Sequence, residues 1–296
     1  MTNDLMTDEA HGDMWNLYLN DSCEKLADIP DVSVGMTVHS PPFDSLYTYS
    51  PTPRDLGNSA TRSEFLEHYA FIIRELLRVT MPGRIAGVHV QQVALTKAVH
   101  GVVGLTDFRG EVIAAYQAAG WIFHGEITVD KDPQAQAIRT KAQALMFATK
   151  NRDSSKTRPA LADYLLLFRA PGDNPTPIKT DVSNDEWIQW ARPVWLDIKE
   201  TNTLNARAGR EQADERHIAP LQLDFIERCV RLWSNPGETV LTPFAGIGSE
   251  VYIAVKCGRR GIGIELKRSY WMSAVKTLRA LDAEMATPAL FAEVAE

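Results

Sequence analysis

Apolar positions along this chain switch between two periods, and the switching predicts strands alternating with amphipathic helices. Met14 to Leu19 and Val32 to Val38 read as short strands, with a small helix around Cys23 to Ala27 between them. Thr61-Arg62-Ser63-Glu64 has the form of a capping box. It opens a long helix in which Phe65, Tyr69, Ile72, Ile73 and Leu76 recur at helical spacing. Pro82-Gly83 is expected to end that helix, with a strand from Arg84 to Val90 behind it. Asp107 can cap a second helix, Phe108 to Ala119, which Gly120 stops before the strand Trp121 to Val129.

The pattern loosens after Lys131. Residues 131 to 216 mix polar, basic and proline-rich stretches with one strand-like run, Leu161 to Phe168. Order returns with a helix from Pro220 to Trp233, stopped by Pro236-Gly237. A β-α-β unit follows: Thr239 to Leu241, a glycine loop, helix Ser249 to Lys256, and Gly261 to Glu265. A last helix runs from about Tyr270 to Met285. Such alternation argues for an α/β fold, a mainly parallel sheet covered by helices on both faces. No internal repeat or low-complexity tract interrupts it.

Composition narrows the picture. The 296 residues, 45% of them apolar, suffice for one large α/β domain with an insertion, or two modest domains. No apolar run is long enough to span a bilayer. Met1 to Asp13 is polar and acidic, unlike a secretory leader. Cys23, Cys229 and Cys257 have no metal-ligand spacing and leave one unpaired, which fits a reducing cytoplasm. The net charge of −7 counts against nucleic-acid binding at first sight. Its distribution softens that objection. Arg139, Lys141, Lys150, Arg152, Lys156, Arg158 and Arg169 face only Asp153 and Asp163 between positions 139 and 169. The run reads either as a DNA face or as a solvated basic surface.

Two loops carry candidate chemistry. Between Leu241 and Ser249 the chain turns sharply from strand to helix, and Gly246 and Gly248 allow close ligand approach. Ligands of open α/β sheets sit at the carboxyl ends of strands. Glu265 ends the next strand, close to the ~20-residue offset at which an acid reaches ribose hydroxyls. Ser40-Pro41-Pro42-Phe43 follows the strand Val32 to Val38, again at a carboxyl end. Taken singly, the first is a tight turn with an incidental acid and the second an ordinary proline turn.

Together, and in this order, they resemble the two halves of an active site. Ser40-Pro41-Pro42-Phe43 resembles the S/D/N-P-P-Y/F/W signature of DNA amino-methyltransferases, and Thr242-Pro243-Phe244-Ala245-Gly246-Ile247-Gly248 resembles their D-P-F-x-G-x-G loop. The amino-group motif comes first, which is the permuted order of the β group of N4-cytosine and N6-adenine enzymes. The resemblance implies a circularly permuted Rossmann-like methyltransferase fold. Its catalytic half would be residues 1–130, a target-recognition segment 131–216, and its cofactor half 217–296. S-adenosylmethionine would lie against Thr242, Phe244, Ala245, Gly246, Gly248, Ser249 and Glu265. Asn20-Asp21-Ser22-Cys23 resembles the family's D-C element, whose Asp meets adenine, with Ser22 inserted; Asp21 reads equally well as a helix cap. His217 to Leu221 resembles the family's proline-containing segment before the loop. One departure stands out. The family usually has Asp where this chain has Thr242, so contact with the methionine amino group is weaker here or comes from elsewhere.

The implied chemistry suits these residue types. An exocyclic amine is a poor nucleophile because its lone pair is delocalised into the ring. Hydrogen bonds accepted by Ser40 Oγ and the Pro41 carbonyl favour a tetrahedral nitrogen aimed at the sulfonium methyl. Prolines fix that carbonyl in advance. Phe43 would supply a face for a flipped base. Duplex DNA is the expected partner, with Arg139, Lys141, Arg152, Lys156 and Arg158 as its candidate contacts. Homodimerisation is common in the resembled group. Asp44 to Asn58 reads as a loop that closes on substrate or as a plain surface loop. Ser40 favours cytosine N4 slightly over adenine N6. C5 methylation is excluded, because no cysteine follows a proline. Methylation of RNA or of a protein glutamine, and a non-catalytic DNA-binding regulator on the same scaffold, stay open.

Overall fold

Elements form where the apolar period is cleanest, and caps or special backbone angles set their ends. The computed structural model describes residues 6–42, 56, 59, 61–95, 97–134, 145, 147–204 and 220–287. The chain opens with β1 (Asp8–His11), β2 (Trp15–Leu19), α1 (Ser22–Leu26) and β3 (Val34–His39). Helix α2 (Arg62–Val79) starts where Thr61 accepts a hydrogen bond from Glu64 N at 3.2 Å. Next come β4 (Thr80–Gln91), the small hairpin of β5 (Val93–Leu95) and β6 (Gly104–Thr106), and α3 (Lys97–His100) within it. Asp107 caps α4 (Phe108–Ala118) by accepting from Gly110 N at 3.1 Å. β7 (Ile122–Val129), β8 (Asp163–Arg169), α5 (Asn184–Trp190) and β9 (Val194–Trp195) form the middle of the chain. The last part is α6 (Leu223–Trp233), β10 (Thr239–Thr242), α7 (Ser249–Lys256), β11 (Arg260–Glu265) and α8 (Arg268–Ala286).

Two expectations change. Pro82-Gly83 does not end α2, which stops at Val79 and runs directly into β4. The pair lies instead in a bulge of that strand. Register jumps from Val34↔Thr80 to Met36↔Ile85, so Met81 to Arg84 oppose only Gly35. A proline without an N–H and a glycine at φ 71° suit such a bulge. The interval 131–216 also proves composite. Its strand-like run is β8, which sits inside the sheet between β4 and β7. The described parts that leave the sheet are residues 130–134, 145 and 147–162 and those flanking α5 and β9.

The sheet order is β1-β2-β11-β10-β3-β4-β8-β7-β9. β2, β11, β10, β3 and β4 are mutually parallel, while β1 and β8 run against their neighbours. From β10 the chain moves outward to β11, and from β3 it moves outward the other way to β4. The strand order therefore reverses between β10 and β3, where an open α/β sheet leaves a crevice at its carboxyl edge. Helices α1, α2 and α4 cover one face around Phe65, Tyr69, Ile73 and Phe108. Helices α6, α7 and α8 cover the other through Phe225, Ile226, Val251 and Leu278. Every residue of β3 is buried, as expected of a central strand covered on both faces. No helix among the described residues is long and apolar enough to cross a membrane.

Candidate active site

Both candidate loops leave the carboxyl edge of the sheet at the reversal point. Leu241 of β10 pairs with Thr37 of β3, so Ser40-Pro41-Pro42 and Thr242 to Gly248 emerge side by side. Phe244 ties them together. Its ring packs 5.8 Å from His39 and 6.1 Å from Tyr69, centroid to centroid. His39, immediately before Ser40, is fully buried, and its Nε2 lies 3.0 Å from Tyr69 Oη and 3.2 Å from Tyr116 Oη. Burial pushes this imidazole down to about 3, so it is a neutral anchor beneath the motif. Phe43 and most of Asp44 to Asn58 lie outside the described residues.

Ser40 is half-buried, and its Oγ sits 3.1 Å from His89 Nδ1 and 3.3 Å from the His89 carbonyl oxygen. His89 Nε2 in turn lies 2.9 Å from Asp163 Oδ2, and Lys131 Nζ lies 2.7 Å from the same oxygen. Gln91 Nε2 donates to Asp163 Oδ1 at 2.8 Å. Sheet register explains the meeting. Gln91 at the end of β4 opposes Asp163 at the start of β8, which opposes Val129 at the end of β7. His89 and Gln91, Asp163, and Lys131 two residues past Val129 therefore share one face. Sequence reading missed this cluster; its only trace was titratable residues at the ends of apolar strands.

In the glycine loop, Gly246 and Gly248 both adopt positive φ, 52° and 90°. A Cβ on Gly246 would meet nothing within 4 Å among the described residues, whereas one on Gly248 would lie 2.9 Å from Ala274 Cβ. The first glycine leaves open space beside its α-carbon and the second lets α7 approach α8. Glu265 pins the turn: Gly246 N donates to its Oε2 at 2.7 Å and Lys267 N to its Oε1 at 2.8 Å. A carboxylate oxygen carries two lone pairs, so accepting from a backbone N–H does not bar it from accepting from a hydroxyl as well. Asp21 caps α1, accepting from Cys23 N at 2.8 Å, and Ser22 Oγ donates to the Pro243 carbonyl at 2.5 Å. The inserted serine thus stitches α1 to the glycine loop. Thr242 is buried and receives a long hydrogen bond, 3.4 Å, from Phe244 N. Ala245 and Ser249 are buried, and Ser249 Oγ has no hydrogen-bond partner among the described residues. Glu250, in the first turn of α7, is also buried, and burial pushes its carboxyl up to about 8, with Glu265 adding to the rise.

The basic positions divide. Arg139 and Lys141 lie outside the described residues. Arg152 is exposed, Lys156 closes a short 3-10 turn, and Arg158 is half-buried. Arg152, Lys156 and Arg158 lie between Val129, which ends β7, and Asp163, which starts β8 at the edge carrying both loops. Arg169 does not belong with them. It ends the antiparallel β8 at the opposite edge, where its Nη2 donates to the Gly172 carbonyl at 2.8 Å.

Known proteins resemble this chain in sequence and fold. The family model described as DNA methylase matches residues 34–276. The Type II methyltransferase M.MjaI of Methanocaldococcus jannaschii is 25% identical over 66% of this chain and 61% of its own length. M.BglII of Bacillus subtilis is 25% identical over 86% of this chain and 66% of its own. The chain thus spans about three fifths to two thirds of these curated relatives. TTHA0409 of Thermus thermophilus, described as a candidate DNA modification methylase, superposes with a TM-score of 0.67 at 25% identity. That match covers 90% of this chain and 94% of the other. The PvuII DNA methyltransferase, cytosine-N4-specific, gives 0.63 at 15% identity over 92% of each chain, a likeness of fold. With the match running from β3 through β11 and across both loops, the chain belongs to the N6/N4 DNA methylase family.

Proposed function

We propose that this protein moves a methyl group from S-adenosylmethionine to the exocyclic amine of a base flipped from duplex DNA, favouring cytosine N4 over adenine N6. The observation that carries the reading is the emergence of Ser40-Pro41-Pro42 and the Gly246 loop from adjacent parallel strands at the reversal point. The residues fit the cofactor. Gly246 leaves open space, Ser249 Oγ is a buried polar atom awaiting a partner, and Glu265 offers carboxylate oxygens at the end of β11. Bound there, S-adenosylmethionine supplies an electrophilic methyl group. Ser40 Oγ and the Pro41 carbonyl accept the two N–H bonds of the amine and so orient its lone pair. Tritiated methyl transfer to duplex DNA, RNA and protein in parallel tests the reading. Mass spectrometry of nucleosides from expressing cells should then find N4-methylcytosine. Transfer to RNA or protein alone would replace DNA as substrate.

Glu250 enters the same reading. Thr242 lacks the carboxylate expected at its position, and Glu250 is a buried acid without a paired cation among the described residues. It is the group offered to the cofactor's ammonium. In the free protein it is a liability. A carboxyl raised by burial contributes stability at low pH that is lost as pH rises through about 8. Glu250→Gln should therefore stabilise the free protein at pH ~9 by on the order of 2–4 kcal/mol, and hardly at pH ~5. The same variant should weaken S-adenosylmethionine binding in calorimetry. Thermal melts without pH-dependent gain, or unchanged cofactor affinity, would remove Glu250 from this role.

Residues 131–162 are proposed as the part of the 131–216 interval that meets DNA. Deleting one cation that sits on a phosphate should flatten the salt dependence of duplex binding by about one unit, uniformly across sequences. Arg152→Ala and Arg158→Ala, titrated with duplex over a salt series, check this. Slopes equal to wild type in both would leave a solvated basic face.

A further inference from the structure

We propose that His89 is a positioning residue that fixes Ser40 as a hydrogen-bond acceptor and takes, through it, the proton released by the methylated amine. The proposal rests on the amine-transfer reading above and deepens it. Its foundation is the buried chain Ser40–His89–Asp163–Lys131, in which His89, Asp163 and Lys131 are at most 7% exposed.

Electrostatics choose the tautomer. Burial opposes ionisation of Asp163, but its neighbours His89 and Lys131 outweigh burial and keep the carboxyl ionised. A carboxylate 2.9 Å from Nε2 favours a proton on that nitrogen, because a bare lone pair there would face negative charge. Nδ1 is then left as an acceptor for the Ser40 hydroxyl, 3.1 Å away. With its proton committed to His89, Ser40 Oγ can only accept from an incoming amine. The opposite tautomer would spend an Oγ lone pair on Nδ1–H.

The proton balance follows. A nitrogen–carbon bond forms as the sulfonium–carbon bond breaks, and the nitrogen gains a positive charge. One N–H proton passes to Ser40 Oγ while the Ser40 hydroxyl proton passes to His89 Nδ1. The product is a neutral N-methyl amine, serine is restored, and His89 becomes an imidazolium beside Asp163. With neutral His89 the cluster of Asp163 and Lys131 is charge-balanced. The added proton passes on to solvent before the next turnover. A hydrolytic triad fits the same residues poorly. There the serine meets Nε2 and the acid meets Nδ1, the reverse of this arrangement. Pro41 and Pro42 also lack the N–H that an oxyanion hole would take from the residues after the serine.

The first test needs no turnover. Long-range nitrogen–proton NMR correlation on the full chain should show His89 as the Nε2–H tautomer, with its Nδ1 resonance moving in Ser40→Ala. A Nδ1–H tautomer overturns the proposal. The second test uses single-turnover methyl transfer. His89→Ala should slow transfer about 10²-fold, with KM for DNA and cofactor affinity unchanged, and added imidazole should restore at least tenfold. Because His89 acts through Ser40, the double variant should be no slower than Ser40→Ala alone. Multiplicative losses without imidazole rescue mean a structural role and overturn the relay. Should His89→Ala not fold, His89→Gln retains an acceptor for Ser40 but no proton acceptor, and wild-type rates in it also overturn the relay. Absence of wild-type transfer to any amine would sink the underlying reading instead, and the tautomer result would still stand or fall by itself.

Discussion

Ser40→Ala is expected to slow methyl transfer by about 10²–10³-fold, a loss of ~2–4 kcal/mol of transition-state stabilisation. The hydroxyl is the one side-chain acceptor in the proline motif, and its contacts run to His89 rather than to the cofactor loop. Cofactor affinity should therefore hold while the chemical step slows. The Pro41 carbonyl remains to accept one N–H, so the loss should stop short of complete inactivation. Alanine also removes the Ser40–His89 hydrogen bond, at a cost of ~0.5–1.5 kcal/mol in stability. Melting curves must accompany the kinetics so that lower folded fraction is not mistaken for lower rate. The deciding comparison is single-turnover rate against calorimetric cofactor affinity in the same preparation. An unchanged rate would remove Ser40 from the chemistry.

The parts of this site that sequence reveals are those built from short stretches of chain. β10, the glycine loop, α7 and β11 were legible nearly to the residue because apolar runs, turn glycines and a helix follow one another without interruption. Ser40-Pro41-Pro42 was legible because a motif and the strand before it are contiguous. His89, Asp163 and Lys131 were not. Their meeting depends on β8 pairing antiparallel between β4 and β7, and the side-chain period of a strand gives its faces but not its neighbours. The same limit assigned Leu161 to Phe168 to an insertion when it is a sheet strand. Pro82-Gly83 misled for a different reason. Both residues are good breakers, but the chain turns extended earlier, at Thr80, whose Oγ1 donates to the Leu76 carbonyl at 2.6 Å and closes the helix. The breakers were then free to shape a bulge. β1 escaped notice because Asp8, Glu9 and His11 are exposed, leaving Ala10 as its only buried residue.

Gly246→Val is expected to weaken S-adenosylmethionine binding by roughly 100-fold or more, about 2.7 kcal/mol, with the fold retained. Two features of the position argue this together. The space a side chain would fill is empty, so no atom of the described residues lies within 4 Å of the new Cβ to clash with it. That open space borders the glycine loop itself, against which the cofactor is proposed to lie. The backbone angle adds a second effect: φ is 52°, a region costing a branched residue ~1–3 kcal/mol, and relaxing it would disturb the Gly246 N–H donated to Glu265. Gly248→Val is the useful contrast. Its Cβ would collide with Ala274 at 2.9 Å, so that variant should lose α7–α8 packing and melt early. Position 246 should separate binding from stability, and position 248 should not. Calorimetry with S-adenosylmethionine and thermal melts on both variants make the comparison. If Gly246→Val binds like wild type while remaining folded, the cofactor does not approach this loop.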